Sequence, residues 1–215
     1  MRGARFLLVC AACLLLAGGC GGDGDAEPVE EPTASPSPQA SSTSQLTTYT
    51  NEEWGFSLEY PADWSQGDPP TNYEFAIAFA SVAKLGEMTE AERKDARAVW
   101  INVERLPEPG TESDFRMGLE GMAAELEDAT AASPETGDPS LEVTHVEIGE
   151  FAGLPCLIVD MTVTVEYLGG SLWHQRSYIF GQDDLLYYLN LYGVEDRWAK
   201  DQAVLESIAE SFVLL

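Results

Sequence analysis

From Leu157 to Tyr167 apolar residues recur at every second position. Leu157, Val159, Met161, Val163, Val165 and Tyr167 share one face, while Asp160, Thr162, Thr164 and Glu166 hold the other. Successive strand side chains point to opposite faces, so a period of two fits a strand and no helix. Gly169-Gly170 supplies a return, and Leu172 to Phe180 reads as the second arm of that hairpin. Leu185 to Tyr192 is apolar on nearly both faces, the pattern of a central strand covered on two sides.

The flanking sequence adds strands and helices in alternation. Phe56-Ser57-Leu58-Glu59-Tyr60 alternates and stops at Pro61, and Val99, Ile101 and Val103 mark another strand. Phe75, Ile77 and Phe79 alternate with Ala76, Ala78 and Ala80, a bulky face backed by a small one that suits a closely packed helix. Thr89-Glu90-Ala91-Glu92 has capping-box spacing and predicts a short charged helix ending near Arg97. Phe115, Leu119, Met122, Ala123 and Leu126 fall on one side of a second helix, with Glu112 and Asp114 at its positive end. A strand over Leu141 to Ile148 leads to a turn at Gly149 to Gly153. Trp198, Leu205, Ile208 and Phe212 then line a terminal helix. The order predicts the α+β class: an antiparallel β-sheet packed between helices.

The N-terminus reads as an export signal. Arg2 and Arg5 precede an apolar run from Phe6 to Ala17, too short to span a bilayer as a stable helix. Leu16-Ala17-Gly18-Gly19-Cys20 resembles the lipobox of bacterial lipoproteins, although Ala17 stands where that motif favours Leu, Val or Ile. The resemblance implies cleavage before Cys20 and a lipid on its thiol. Gly21 to Thr48 follows with little apolar surface and repeated Pro, Ser and Gly, the composition of an extended tether. The expected organisation is a signal peptide at 1–19, a tether at 20–48 and a folded domain at 49–215. The expected location is extracytoplasmic, on the cell membrane through the N-terminal lipid.

Charge and cysteine content narrow the partners. The formal net charge is −26, which repels nucleic-acid phosphates and anionic headgroups, so nucleic acid is not an expected partner. Cys10 and Cys13 lie in the signal and Cys20 takes the lipid, leaving Cys156 alone in the domain. One thiol makes no internal disulfide, so the exported domain depends on its core. Cys156 opens a strand-like run and reads as a small hydrophobe.

No residue set announces catalysis. The two histidines, His145 and His174, are isolated in sequence. Gly-x-Ser-x-Gly is absent, so a serine-hydrolase set has no support. Zinc-ligand spacing and EF-hand spacing are absent too, although Glu135 and Asp138 in a Gly- and Pro-containing loop offer two oxygens to calcium. Asp183-Asp184 reads as a turn, and Trp64 as a cover over the core. The one polar and aromatic grouping suited to ligand contact is Trp173-His174-Gln175-Arg176, with Trp173, His174 and Arg176 as its binding candidates. No cofactor and no metal are expected.

Gly55, Phe56, Leu58, Tyr60, Pro61 and Trp64 form an opening phrase that resembles PsbP-like domains. Phe151-Ala152-Gly153-Leu154-Pro155 is similar to that family's turn before its central hairpin. The stretch from Leu205 to Phe212 is similar to its last helix. The resemblance runs from about Tyr49 to Leu215 and includes LpqN-type bacterial lipoproteins. It implies a PsbP-like α/β/α sandwich and a binding or accessory role, without catalytic residues to transfer. The functional expectation is a lipid-anchored envelope protein, not an enzyme, with an envelope protein as partner. The alternative is a carrier of an apolar small molecule or lipid in a sheet–helix pocket lined by residues such as Trp100, Met122 or Tyr188.

Overall fold

A computed structural model describes residues 45–69, 73–83, 88–132, 141–165 and 171–215. Cys20, the Glu135/Asp138 loop and the Gly169-Gly170 return lie outside them, as does the signal and the tether up to Ser44. Gln45–Leu215 forms one compact unit.

The main sheet has seven antiparallel strands. In chain order they are β3 (Ser65–Gly67), β4 (Phe75–Ala80), β5 (Arg97–Arg105), β6 (Leu141–Phe151), β7 (Leu154–Val165), β8 (Ser171–Gln182) and β9 (Leu185–Val194). Their spatial order is β3-β4-β5-β9-β8-β7-β6, with β9 in the middle. A second sheet joins β1 (Leu46–Asn51), β2 (Phe56–Pro61) and β10 (Val213–Leu214) in the order β1-β2-β10. The helices are α1 (Glu90–Arg93), α2 (Glu112–Ala132) and α3 (Trp198–Glu210). β1 thus takes in Leu46 to Thr48, residues whose composition reads as tether.

The central strand shows why it is apolar on both faces. Leu186 and Tyr188 of β9 pack with Leu157, Val159 and Ile179 under Phe115 and Leu119 of α2. Leu189 and Leu191 point the other way, into a layer built by Phe56 and Leu58 of β2, Leu205 and Ile208 of α3, and Phe212. α2 covers β6, β7 and β8, whereas α3 lies against β9, β5 and β2. The result is the α+β arrangement expected, with the small sheet sharing one face with α3. Each Leu, Ile or Phe side chain withdrawn from water contributes about 2 kcal/mol, and no disulfide assists among the described residues.

Two local expectations change. The alanine face of β4 takes aromatic rings rather than a helix. Ala78, Ala80 and Ala98 pack with Trp100 and Tyr192, whose ring centroids lie 4.7 Å apart. Trp100 sits opposite Ala78 in register, so the methyl leaves depth for the indole. Helix α1 stops at Arg93 instead of reaching Arg97. Its capping box forms as predicted, through Thr89 and Glu92. Arg97, however, is already paired with Gly193 of β9, and that ladder claims the backbone.

The β6–β7 and β8–β9 hairpins both close on two residues. Phe151 pairs with Leu154 around Ala152-Gly153, and Gln182 pairs with Leu185 around the Asp183-Asp184 turn. Ala152 has φ 50° and Gly153 φ 79°, a conformation that favours Asn-Gly. An L-residue with a Cβ is disfavoured there by about 1–2 kcal/mol. Ala152→Asn should therefore raise the unfolding free energy by about 1 kcal/mol in a urea titration. An unchanged midpoint would show that the alanine sits there without strain.

Candidate functional site

Strand alternation divides the sequence grouping at 173–176. Trp173 and Gln175 point to one face of the main sheet, and His174 and Arg176 to the other. Trp173 is fully buried with Ala96 and Val163. Gln175 donates to Ser177 Oγ (2.8 Å) and Asn190 Oδ1 (3.2 Å). The structure therefore brings His174 and Arg176 together and separates Trp173 from them.

The aromatic partner of His174 is Trp198 at the start of α3, stacked at 4.0 Å with an 18° tilt. Its Nδ1 lies 3.1 Å from Glu195, in the 3₁₀ turn Glu195–Arg197, and its Nε2 lies 3.3 Å from Asp160 of β7. Arg176 holds Asp160 with a two-pronged contact, Nε to Oδ1 at 2.7 Å and Nη2 to Oδ2 at 2.9 Å. Its Nη1 donates to Glu206 of α3, and Gln202 donates to the same carboxylate at 2.7 Å. Planar guanidinium and carboxylate groups match in this way, which makes the contact directional as well as charged.

The electrostatics follow from that geometry. Burial acts to raise the Asp160 carboxyl, but hydrogen bonds from His174 and Arg176 outweigh it and hold the group down to about 2. The Asp160 hydrogen bond pushes Arg176 further up, against the opposing effect of its own burial. A second charged knot lies nearby. Asp201 of α3 is buried between Arg97 Nη1 (3.7 Å) and Arg197 Nε (3.4 Å), and Arg197 also meets Asp95. Arg97 in turn lies 5.8 Å from the centre of the Trp64 ring, which is buried in the core as expected.

These contacts consume the groups that could act on a ligand. Both ring nitrogens of His174 and all three guanidinium nitrogens of Arg176 already face carboxylates. The arrangement fastens β7, β8, the 3₁₀ turn and α3 to one another. The sequence reading missed its carboxylates: Asp160, Glu195 and Glu206. Asp160 had a signal, as an acidic residue in a strongly apolar strand. Glu195 and Glu206 had none, since their approach depends on where α3 lands.

The remaining candidates are placed plainly. His145 is exposed and meets only Glu147, at 3.3 Å among the described residues. Cys156 is fully buried, and that burial pushes its thiol up to about 12, where a reactive thiolate does not form at neutral pH. Asp183 accepts from Gly110 N at 2.7 Å and Asp184 from Leu106 N at 2.6 Å, both through the backbone carbonyl, while the Asp184 carboxylate meets Arg105. No three His, Cys, Asp or Glu residues converge to hold a metal among the described residues. Trp100 packs with Ala78, Ala80 and Ala98, whereas Met122 and Tyr188 pack in the cluster under α2. No helix of the described residues is long and apolar enough to cross a membrane.

No curated protein matches the chain. Among solved structures, cyanobacterial PsbP from Synechocystis sp. PCC 6803 is similar at 18% identity and a TM-score of 0.51, over 92% of this chain and 98% of that one. LpqN of Mycobacterium tuberculosis, described as involved in cell envelope biogenesis, is similar at 12% identity and a TM-score of 0.49, over 80% of this chain and 91% of that one. At 18% identity the likeness to cyanobacterial PsbP is one of fold. The family model described as PsbP matches residues 44–214, nearly the whole compact unit, and the chain therefore belongs to the PsbP family.

Proposed function

We propose that this protein is an exported, lipid-anchored PsbP-domain protein of the cell envelope that acts by binding rather than by catalysis. The observation that carries the reading is where the domain starts. The family match begins at residue 44 and the compact unit at Gln45. What precedes them is the sequence of a signal, a lipobox-like cysteine at Cys20 and a Pro/Ser-rich stalk. At about 3 Å per residue in extended form, a stalk running from Gly21 to Ser44 could reach about 70 Å. The chain as a whole carries a net charge of −26, and the excess of acidic over basic residues in the domain keeps it from lying flat on anionic headgroups.

The anchor is tested by fractionation. In a bacterial host the Cys20→Ala chain should move from the membrane to the soluble fraction, and globomycin should hold the unaltered chain in its unprocessed form. Retention of the variant in the membrane would overturn the anchor. The binding role is read by native mass spectrometry of the full chain released from its own envelope. A stoichiometric adduct is expected, and a bare mass alone counts against a stable ligand or subunit.

A further inference from the structure

A surface cavity of about 250 Å³ opens where the end of α1 faces the start of the 3₁₀ turn. Arg93 and Lys94 come from one element, Glu195 and Asp196 from the other, and Ser171, Leu172 and Val194 supply the rest of the lining. Among the described residues no ion pair joins the two charged sets. Lys94 pairs with Glu90 at the exposed surface, and Glu195 is held by His174. Opposite charges that line one cavity ordinarily close upon each other. Here Lys94 is held along α1 and Glu195 is fixed to the sheet through His174, while the contact between Asp95 and Arg197 joins the two elements beside the cavity.

We propose that this cavity binds a small zwitterion of the amino-acid type. Its carboxylate would meet Arg93 and Lys94, its ammonium Glu195 and Asp196, and its side chain Leu172, which is 46% exposed in the free protein. The size agrees. A cavity of about 150 Å³ holds benzene, so one of this volume takes roughly ten non-hydrogen atoms. The charge pattern selects against simple anions, which two carboxylates repel, and against simple cations, which two basic groups repel. The proposal deepens the binding role above but does not depend on the anchor, so calorimetry and fractionation fail independently.

The probe is L-leucine, titrated into the detergent-solubilised full chain by isothermal calorimetry. Saturable 1:1 binding is expected, with N-acetyl-L-leucine and L-leucinamide each at least tenfold weaker because each lacks one charge. Arg93→Gln and Asp196→Asn, both outside the His174 network, should weaken L-leucine at least tenfold with unchanged thermal unfolding. Absence of binding at about 10 mM, a range weaker than any ordinary site, overturns the proposal. So does equal binding of either blocked analogue, since one charge would then suffice.

Discussion

Gly181→Ala should unfold at a temperature about 10 °C below the unaltered protein, a loss of about 3 kcal/mol for a domain of this size. Gly181 lies in β8, near its end, and a Cβ placed there would run into the ring of Phe115. That ring is not a flexible chain end. It is buried against the sheet one turn into α2, and the turn is itself fixed by a capping box: Thr111 Oγ1 accepts from Asp114 N (3.3 Å), and Asp114 Oδ2 accepts from Thr111 N (2.9 Å). Either α2 lifts from β8 or the strand moves, and both disturb the cluster of Leu119, Leu157 and Ile179. Removing the obstacle separates this cause from a general intolerance of β8. Phe115→Ala is costly alone, about 3 kcal/mol from the cavity it leaves, yet combined with Gly181→Ala the two costs should fall well short of adding. Full additivity in a denaturation cycle would show that the glycine serves some purpose other than admitting the ring.

Gly181 also shows why part of the fold was legible and part was not. The strands of the central hairpins could be read because burial imposes a period on them, and β9 declared its central place by being apolar on both faces. The glycine gave no such sign, because its role is set by a helix that arrives from a distant part of the chain. The same holds for Ala78 and Ala80. A row of small residues announces close packing but not what packs, and the occupant proved to be Trp100 from the neighbouring strand. β3 and β10 are three and two residues long, below the length at which periodicity can be recognised. At the candidate site, His174 and Arg176 share a face because they are two residues apart in a strand, and the same rule should have removed Trp173 from the group. Their carboxylates could not be found this way. Asp160 faces Arg176 through the β7–β8 register, which depends on the length of the intervening turn, and Glu206 depends on the docking of α3.

That register makes Arg176 the side chain whose loss should be felt most widely. Arg176→Met leaves Asp160 with its carboxylate 8% exposed and Glu206 without its guanidinium. Breaking a buried pair on one side costs about 3–5 kcal/mol, because the remaining charge stays out of water uncompensated. His174 still reaches Asp160, so the expected loss at pH 7 lies at the lower end, about 3 kcal/mol. Adding Asp160→Leu should recover much of it, since an apolar replacement of the whole pair leaves no stranded charge. The pH dependence gives a second reading of the same contact. The folded Asp160 carboxyl is held down to about 2, below its unfolded value, so its contribution is complete above about pH 4. It is lost as the pH falls through about 2, and the shift corresponds to about 2 kcal/mol. Urea titrations between pH 5 and pH 2 should show this decline in the unaltered protein. In Arg176→Met burial acts on Asp160 with less to oppose it, so the folded carboxyl moves back toward its unfolded value and the acid decline should shrink. Identical profiles for the two proteins would mean that the guanidinium does not hold the carboxylate in solution, and the clamp between β8 and α3 would have to rest on packing around Trp198 instead.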